Sequence, residues 1–192
     1  MSLQVIKKII NRITIKTIWA TVIGIILIVI SSRLGIQAGI IPNTHIQCNA
    51  AVIAFIGAAF GPWAGAVTAF AGHLLGDALF SERIWFSWIV ADTVYGYATG
   101  VVNFRLNYEK FNSKVALKFN VNQVCANVLA WIFVAPLLDI VIYSEPVEIV
   151  FSQGVTAFAV NGGVTLVVGT LVLLIYSKIL RSRWSKNEDL LL

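Results

Sequence analysis

Charge is scarce in this chain. Of its 192 residues only 14 are Lys or Arg and 9 are Asp or Glu, while 58% are hydrophobic and the mean hydropathy is +0.85. That balance lies far outside the range of soluble globular domains and suits a chain that crosses a bilayer several times. Histidine and cysteine are equally sparse, at two each. HExxH and paired HxxxH spacings are missing, which argues against a catalytic metal site and leaves no metal or cofactor to expect. Neither GxSxG nor GxxxxGK[ST] occurs, so there is no nucleophile elbow and no P-loop for ATP. Without these motifs no catalytic residue is assigned. Cys48 and Cys125 belong to different hydrophobic spans in opposite leaflets, so two free thiols are expected rather than a disulfide. The opening MSLQVIKKIINRITIK has no continuous apolar core and no small-residue cleavage site, so it does not read as a cleavable signal peptide.

What the chain has in quantity is hydrophobic span. Segments 17–32, 46–60, 62–80, 84–104, 116–143 and 150–180 use nearly the whole length at about 20 residues per crossing. The expected fold is an all-α integral membrane bundle of six transmembrane helices forming one domain over 1–192. Residues 1–16 place Val5, Ile6, Ile9, Ile10 and Ile13 on one arc, which predicts a short helix in the headgroup layer. Segment 17–180 is the bundle, and 181–192 is a solvated tail.

The basic residues orient the bundle. Lys7, Lys8, Arg12 and Lys16 precede the first span, and Arg105, Lys110, Lys114 and Lys118 cluster at the fourth connection. Lys178, Arg181, Arg183 and Lys186 close the chain, leaving only Arg33 and Arg83 for the remaining connections. Short cytoplasmic loops accumulate Lys and Arg, so both termini are expected inside. The formal charge of +5 therefore reports topology and a lipid bilayer as partner, not nucleic-acid binding.

Small residues recur at four-residue spacing: Ala50, Ala54 and Ala58; Gly57, Gly61 and Gly65; Gly72 and Gly76; Gly96 and Gly100; Ala20 and Gly24. In lipid such ridges let helix backbones approach closely. Packing within the bundle is one reading. A docking face for a partner membrane protein on spans one to three, centred on Ala20 and Gly24, is the other.

Polar side chains inside a membrane are expensive, and each needs a partner or a task. His73 and Asp77 share a face at i, i+4, near the outer end of the third span, where they either pair with each other or face a ligand. Trp85, Trp88, Asp92 and Tyr95 occupy roughly a quarter of the circumference of the fourth. Gln123, Asn127 and Trp131 follow i, i+4, i+8 on the fifth, with Asp139 near its outer end. The sixth adds Gln153, Thr156 and Asn161, and the stretch between spans one and two adds Asn43, His45 and Gln47. Most of these groups fall in the outer half. Aromatic planes mixed with amides, carboxylates and imidazole suit a small, planar, polar organic molecule. The expected arrangement is Trp88 and Tyr95, with Trp131, sandwiching its ring. Asp92, Asn127, His73 and Asp77 bond its heteroatoms, Asn43, His45 and Gln47 close over it, and Asn161 completes the set of eleven ligand-contacting residues.

Six short spans with both ends inside resemble the substrate-binding S components of energy-coupling factor (ECF) vitamin transporters. The resemblance covers 17–180 and is most specific over 42–100. It is carried by PNTHIQ, by FGPWAGAVTAFAGHLLGDALF, and by the W-x-x-x-D-x-x-x-G of Trp88, Asp92 and Gly96. These segments look like a subgroup associated with hydroxymethylpyrimidine or pyridoxine uptake. The resemblance implies a prokaryotic plasma-membrane protein that binds a vitamin at its outer end beneath a lid. It also implies docking, through spans one to three and an Ala-x-x-x-Ala-like motif, onto a coupling subunit that carries two ATPases. Here that motif is Ala20-x-x-x-Gly24, so its second position departs from alanine. Gly57, Gly61 and Gly65 fit the same docking role. Two other classes stay open: an independent proton-coupled transporter working through Asp92 or Asp77, and an assembly subunit whose polar residues only pin helices together.

Overall fold

Thr14 starts the first helix by accepting a hydrogen bond from the Thr17 backbone N–H at 3.2 Å, while its own N–H donates to Thr17 Oγ1 at 3.4 Å. This reciprocal cap satisfies two of the donors that a helix start leaves free. In the computed structural model, which describes residues 14–37, 45–103, 106, 108 and 111–188, the chain is a bundle of six helical rods. Helix α1 is Ile15–Arg33, α2 Asn49–Phe60, α3 Pro62–Phe80 and α4 Phe86–Asn103. Helix α5 runs over Ser113–Tyr143, and α6 joins Val147–Val164 through a wider turn to Thr170–Glu188. The amphipathic arm expected over 1–16 lies almost wholly outside the described residues.

The rods agree with the hydrophobic segments to within a few residues, and two differences have physical causes. The connection after α1 contains a short antiparallel pair, β1 (Ile36–Gln37) with β2 (His45–Ile46), in the register Ile36 to Ile46 and Gln37 to His45. Two residues per strand are too few to show an alternating pattern in the sequence. The sixth rod continues past the hydrophobic span's end at 180 and stays helical to Glu188. The extension has no Gly or Pro to stop it, and Lys, Arg and Glu propagate a helix well.

Inside the bundle the glycine ridges set the spacing. A Cβ on Gly65 would lie 2.5 Å from the Gly96 carbonyl oxygen and 2.8 Å from Gly57 Cα, and one on Gly57 would lie 2.7 Å from the same oxygen. Helices α2, α3 and α4 thus touch backbone to backbone. Gly61, with φ 108, makes the turn between α2 and α3, and Pro62 follows where a missing N–H does no harm. Gly57 and Gly65 are therefore engaged inside the chain, and so is Gly24, where a Cβ would lie 2.8 Å from Thr68 Cγ2 of α3 and 3.1 Å from Ile56 Cγ1 of α2. Ala20 and Gly24 also border an apolar groove among α1, α2 and α6.

Both long helices widen locally into π-turns, Val128–Val134 in α5 and Thr165–Gly169 in α6. In α5 the widening precedes Pro136, whose ring would otherwise crowd the preceding turn and which has no N–H to continue the ladder. The surface is apolar and the interior partly polar. Val141 is 77% and Trp19 63% exposed, while Asp92, Asp139, Gln123 and Asn127 are buried. A hydrocarbon solvent outside explains that inversion; water does not. By length and composition Ile15–Arg33, Ser113–Tyr143 and Val147–Ser182 are able to cross a membrane. Cys48 and Cys125 are free, as expected.

Replacing Gly65 by alanine is expected to destabilise the detergent-solubilised protein by about 1–3 kcal/mol through overpacking. Gly163→Ala, where nothing lies within 4 Å of the new methyl, leaves stability unchanged or slightly raised. Thermal unfolding of the two variants checks this, and equal melting temperatures would refute the backbone-contact account.

Candidate ligand-binding site

Away from the glycine contacts the side chains become large and the helices enclose space. A cavity of about 620 Å³ lies among α2 to α6, with Ser81, Glu82, Arg83 and Glu145 of the short connections at its mouth. That end of the bundle carries the connections poor in Lys and Arg. The walls include Gln47, His73, Asp77, Trp88, Asp92, Trp131 and Asn161, seven of the eleven residues expected to contact a ligand. They come from five segments separated in sequence, so their convergence is a property of the fold.

Helices α3 and α4 are joined at the cavity by an imidazole. His73 Nδ1 donates to Asp92 Oδ2 at 2.7 Å, and His73 Nε2 lies 3.6 Å from Asp77 Oδ1. The i, i+4 partner read from the sequence is thus the more distant of two carboxylates, and the closer one belongs to the next helix. Asp77 also organises the connection: it accepts from Ser81 Oγ at 3.2 Å and from the Trp85 backbone N–H at 3.0 Å. The latter bond puts a carboxylate beside the start of α4, where free N–H groups favour negative charge. Tyr143 Oη accepts the neighbouring Phe86 N–H at 3.0 Å. Arg83 stacks above the Trp85 and Tyr143 rings, 4.9 and 5.6 Å from their centroids.

The aromatic wall departs from the expected sandwich. Trp88 and Trp131 meet edge to face, with centroids 5.1 Å apart and planes at 79°, so no slot is left between them. Tyr95, fully buried, lies about 4.5 Å further along α4 than Asp92 and shares a hydrogen bond with Thr165 Oγ1 at 3.1 Å. It does not line the cavity. Asn127 is likewise beneath the cavity, donating to Gln123 Oε1 at 3.2 Å, while Gln123 donates to the Gly162 carbonyl at 3.3 Å. Helical periodicity gave the correct face for both residues but could not give the depth at which the cavity closes. Asn43 lies outside the described residues. His45 is placed in β2, and its side chain is not among those described.

Three contributions escaped the sequence reading. Asn49, at the start of α2, lines the cavity; a lone amide heading a run of small residues was the available signal. Glu82 and Glu145 add carboxylates at the mouth, which loop composition alone does not aim. Asp139 is 2% exposed and accepts from Trp88 Nε1 at 2.9 Å and from Ser87 Oγ, fixing the Trp88 ring from behind. A second space of about 500 Å³, bordered by Ser32, Arg33 and Gly35, shares Gln47, His73 and Asp77 with the first. Among the described residues no group of three or more His, Cys, Asp or Glu is arranged to hold a metal ion.

Replacing Asp139 by alanine leaves two buried donors unpaired. We expect a loss of about 2 kcal/mol or more in stability, together with altered tryptophan emission as the Trp88 ring loosens. Unfolding curves and fluorescence spectra measure both, and wild-type behaviour in each would remove Asp139 from this role.

The comparisons with known proteins agree in kind. The family model described as ECF-type riboflavin transporter, S component, matches residues 12–178. A UPF0397 protein of Streptococcus gordonii is 39% identical over 178 residues, covering 92% of this chain and 95% of that protein. UPF0397 proteins of two Staphylococcus aureus strains, bovine RF122 and MSSA476, are each 35% identical over 167 residues, 86% of this chain and 91% of theirs.

Proposed function

Because the chain belongs to the family of ECF-type riboflavin transporter S components, we propose that it is the substrate-capturing membrane subunit of an ATP-driven importer. The observation that carries this reading is the single cavity shared by His73, Asp77, Trp88, Asp92, Trp131 and Asn161. Residues that merely pinned helices together would satisfy one another with no void between them. In this reading six spans cross the plasma membrane with both termini in the cytoplasm, and the cavity faces outward. Its end of the bundle is the one whose connections hold only Arg33 and Arg83.

The ligand is a small, planar, water-soluble vitamin or precursor. Four carboxylates (Asp77, Glu82, Asp92 and Glu145) against the single guanidinium of Arg83 line the cavity among the described residues. Such a field admits neutral or cationic molecules and repels anions. A single ring with short polar arms, such as hydroxymethylpyrimidine or pyridoxine, would lie against the indole wall of Trp88 and Trp131 and reach His73 and Asp92. Riboflavin is the second reading. The family's description names it, and 620 Å³ lies inside the range that holds drug-sized molecules, about 300–1,000 Å³.

The partners in this proposal are a transmembrane coupling subunit and two ATPases. The groove bordered by Ala20, Ile23, Gly24, Phe55 and Val168 is apolar and open along α1, which suits close contact with another membrane helix. Capture precedes any energy use: the ligand binds from outside, and the partner complex releases it inside.

Mass spectrometry of the small molecule released on denaturing the purified protein, followed by calorimetric titration with the three candidates, tests this reading. One of them is expected to bind, with Asp92→Asn or His73→Ala weakening it by about tenfold or more. Its phosphate ester should bind at least about tenfold more weakly than the free compound. An empty protein that binds none of the three would overturn the capture reading. Uptake by this chain alone, driven by a proton gradient, would replace the ATP-driven importer with a secondary transporter.

A further inference from the structure

The imidazole of His73 is held by one nitrogen and leaves the other free. Nδ1 is bonded to Asp92 Oδ2 at 2.7 Å, whereas Nε2 faces Asp77 Oδ1 at 3.6 Å, too far for a hydrogen bond. Among the described residues Nε2 has no closer partner, and it is not one of the buried atoms left unpaired in this bundle. The His73 and Asp77 side chains keep 15% and 12% of their surface accessible, and both border the 620 Å³ cavity and the 500 Å³ space beside it. A molecule in the cavity can therefore reach them.

The two carboxylates decide the polarity of the pair. Each ring nitrogen faces a carboxylate oxygen, and a nitrogen lone pair aimed at such an oxygen would be repelled, so the geometry suits a hydrogen on both nitrogens. Nε2–H is then a donor with no bond of its own. Beside it, Asp77 Oδ1 accepts from Ser81 Oγ at 3.2 Å, and a carboxylate oxygen has lone pairs for a second donor. The remaining bonds fix both groups in place. Asp77 Oδ2 is committed to the Trp85 backbone N–H at 3.0 Å, and Asp92 holds the imidazole from the side of α4.

We propose that His73 Nε2–H and Asp77 Oδ1 read one edge of the ligand at two points. The imidazole donates to a ring acceptor, and the carboxylate accepts from the N–H next to it. A donor and an acceptor side by side recognise the edge of a nucleic-acid base in the same bidentate way. The substrate class follows: a heteroaromatic ring in which an acceptor adjoins an N–H donor, as an amidine-type N=C–NH₂ edge or a lactam-type O=C–N–H edge. Aminopyrimidines carry the first and isoalloxazines the second. Pyridoxine has no N–H beside a ring acceptor and is the least suited of the three candidates. Asp92 is a positioning residue in this scheme, acting through the imidazole. A ligand that displaces water from the pair without matching both groups leaves one of them unpaired, which is the condition under which binding sites discriminate most strongly.

This inference rests on the capture reading above, and the experiment separates the two. Calorimetry on the intact purified wild-type chain compares 4-amino-5-hydroxymethyl-2-methylpyrimidine with two analogues. One has C–H in place of the ring nitrogen next to the amino-bearing carbon, and the other has hydrogen in place of the amino group. Each is expected to bind about tenfold or more weakly than the parent. His73→Ala should bind the parent and the C–H analogue equally while still preferring the parent to the des-amino compound, which also shows that the variant is folded. If riboflavin is the compound bound, its N3-methyl derivative, which lacks the N–H, should bind about tenfold or more weakly, and Asp77→Ala should shrink that loss. Equal wild-type affinities within these pairs, or tighter binding of pyridoxine than of the other two candidates, would overturn the edge assignment and leave the capture reading standing. If wild type binds none of the three compounds, the capture reading fails and this inference fails with it.

Discussion

The cavity depends on a contact at the other end of the molecule. Helices α2, α3 and α4 meet backbone to backbone at Gly57, Gly65 and Gly96, where no side chain keeps them apart. Beyond that contact α3 and α4 carry His73, Asp77, Trp88 and Asp92, which line the cavity. The close approach also brings α3 and α4 near enough for His73 and Asp92 to bond at 2.7 Å. Dispersion between backbones is a short-range force, so this packing tolerates little substitution.

Asp77, Asp92 and Asp139 show how such a bundle carries polar groups. Each has a structural partner. Asp77 holds the connection into α4, Asp92 holds the imidazole on α3, and Asp139 holds the Trp88 indole. Two of the three also line the cavity, so the bonds that keep helices in register present acceptor oxygens to whatever enters. Structural and ligand-facing roles coincide because an intramembrane carboxylate needs a partner in either case.

The hydrophobic rods, the uneven distribution of Lys and Arg, and the half of the bundle holding the polar residues were legible in the sequence. These are one-dimensional properties, or follow from a single helical wheel. His73, Asp92 and Trp131 reached the cavity as periodicity placed them. Tyr95 and Asn127 did not, because a wheel gives the face of a residue and not where neighbouring helices close beneath it. The Trp88–Trp131 edge contact depends on ring rotamers in two helices, and the role of Asp139 on an indole one helix away. Neither leaves a trace in spacing. The glycine ridges read correctly as close contacts, but which helix each would meet needed three dimensions.

Gln47, His73, Asp77, Phe80 and Ser81 border both of two neighbouring spaces of about 620 and 500 Å³. His73, Asp77 and Gln47 are held by hydrogen bonds, so the Phe80 ring is the shared side chain whose rotamer would exchange room between the two without moving a helix. The room in the cavity is therefore adjustable on the fast timescale of side-chain motion, whereas the carboxylates and imidazole that set its polarity are held in place by their mutual bonds. In the proposed capture role such a vessel would be lenient toward bulk and strict toward chemistry.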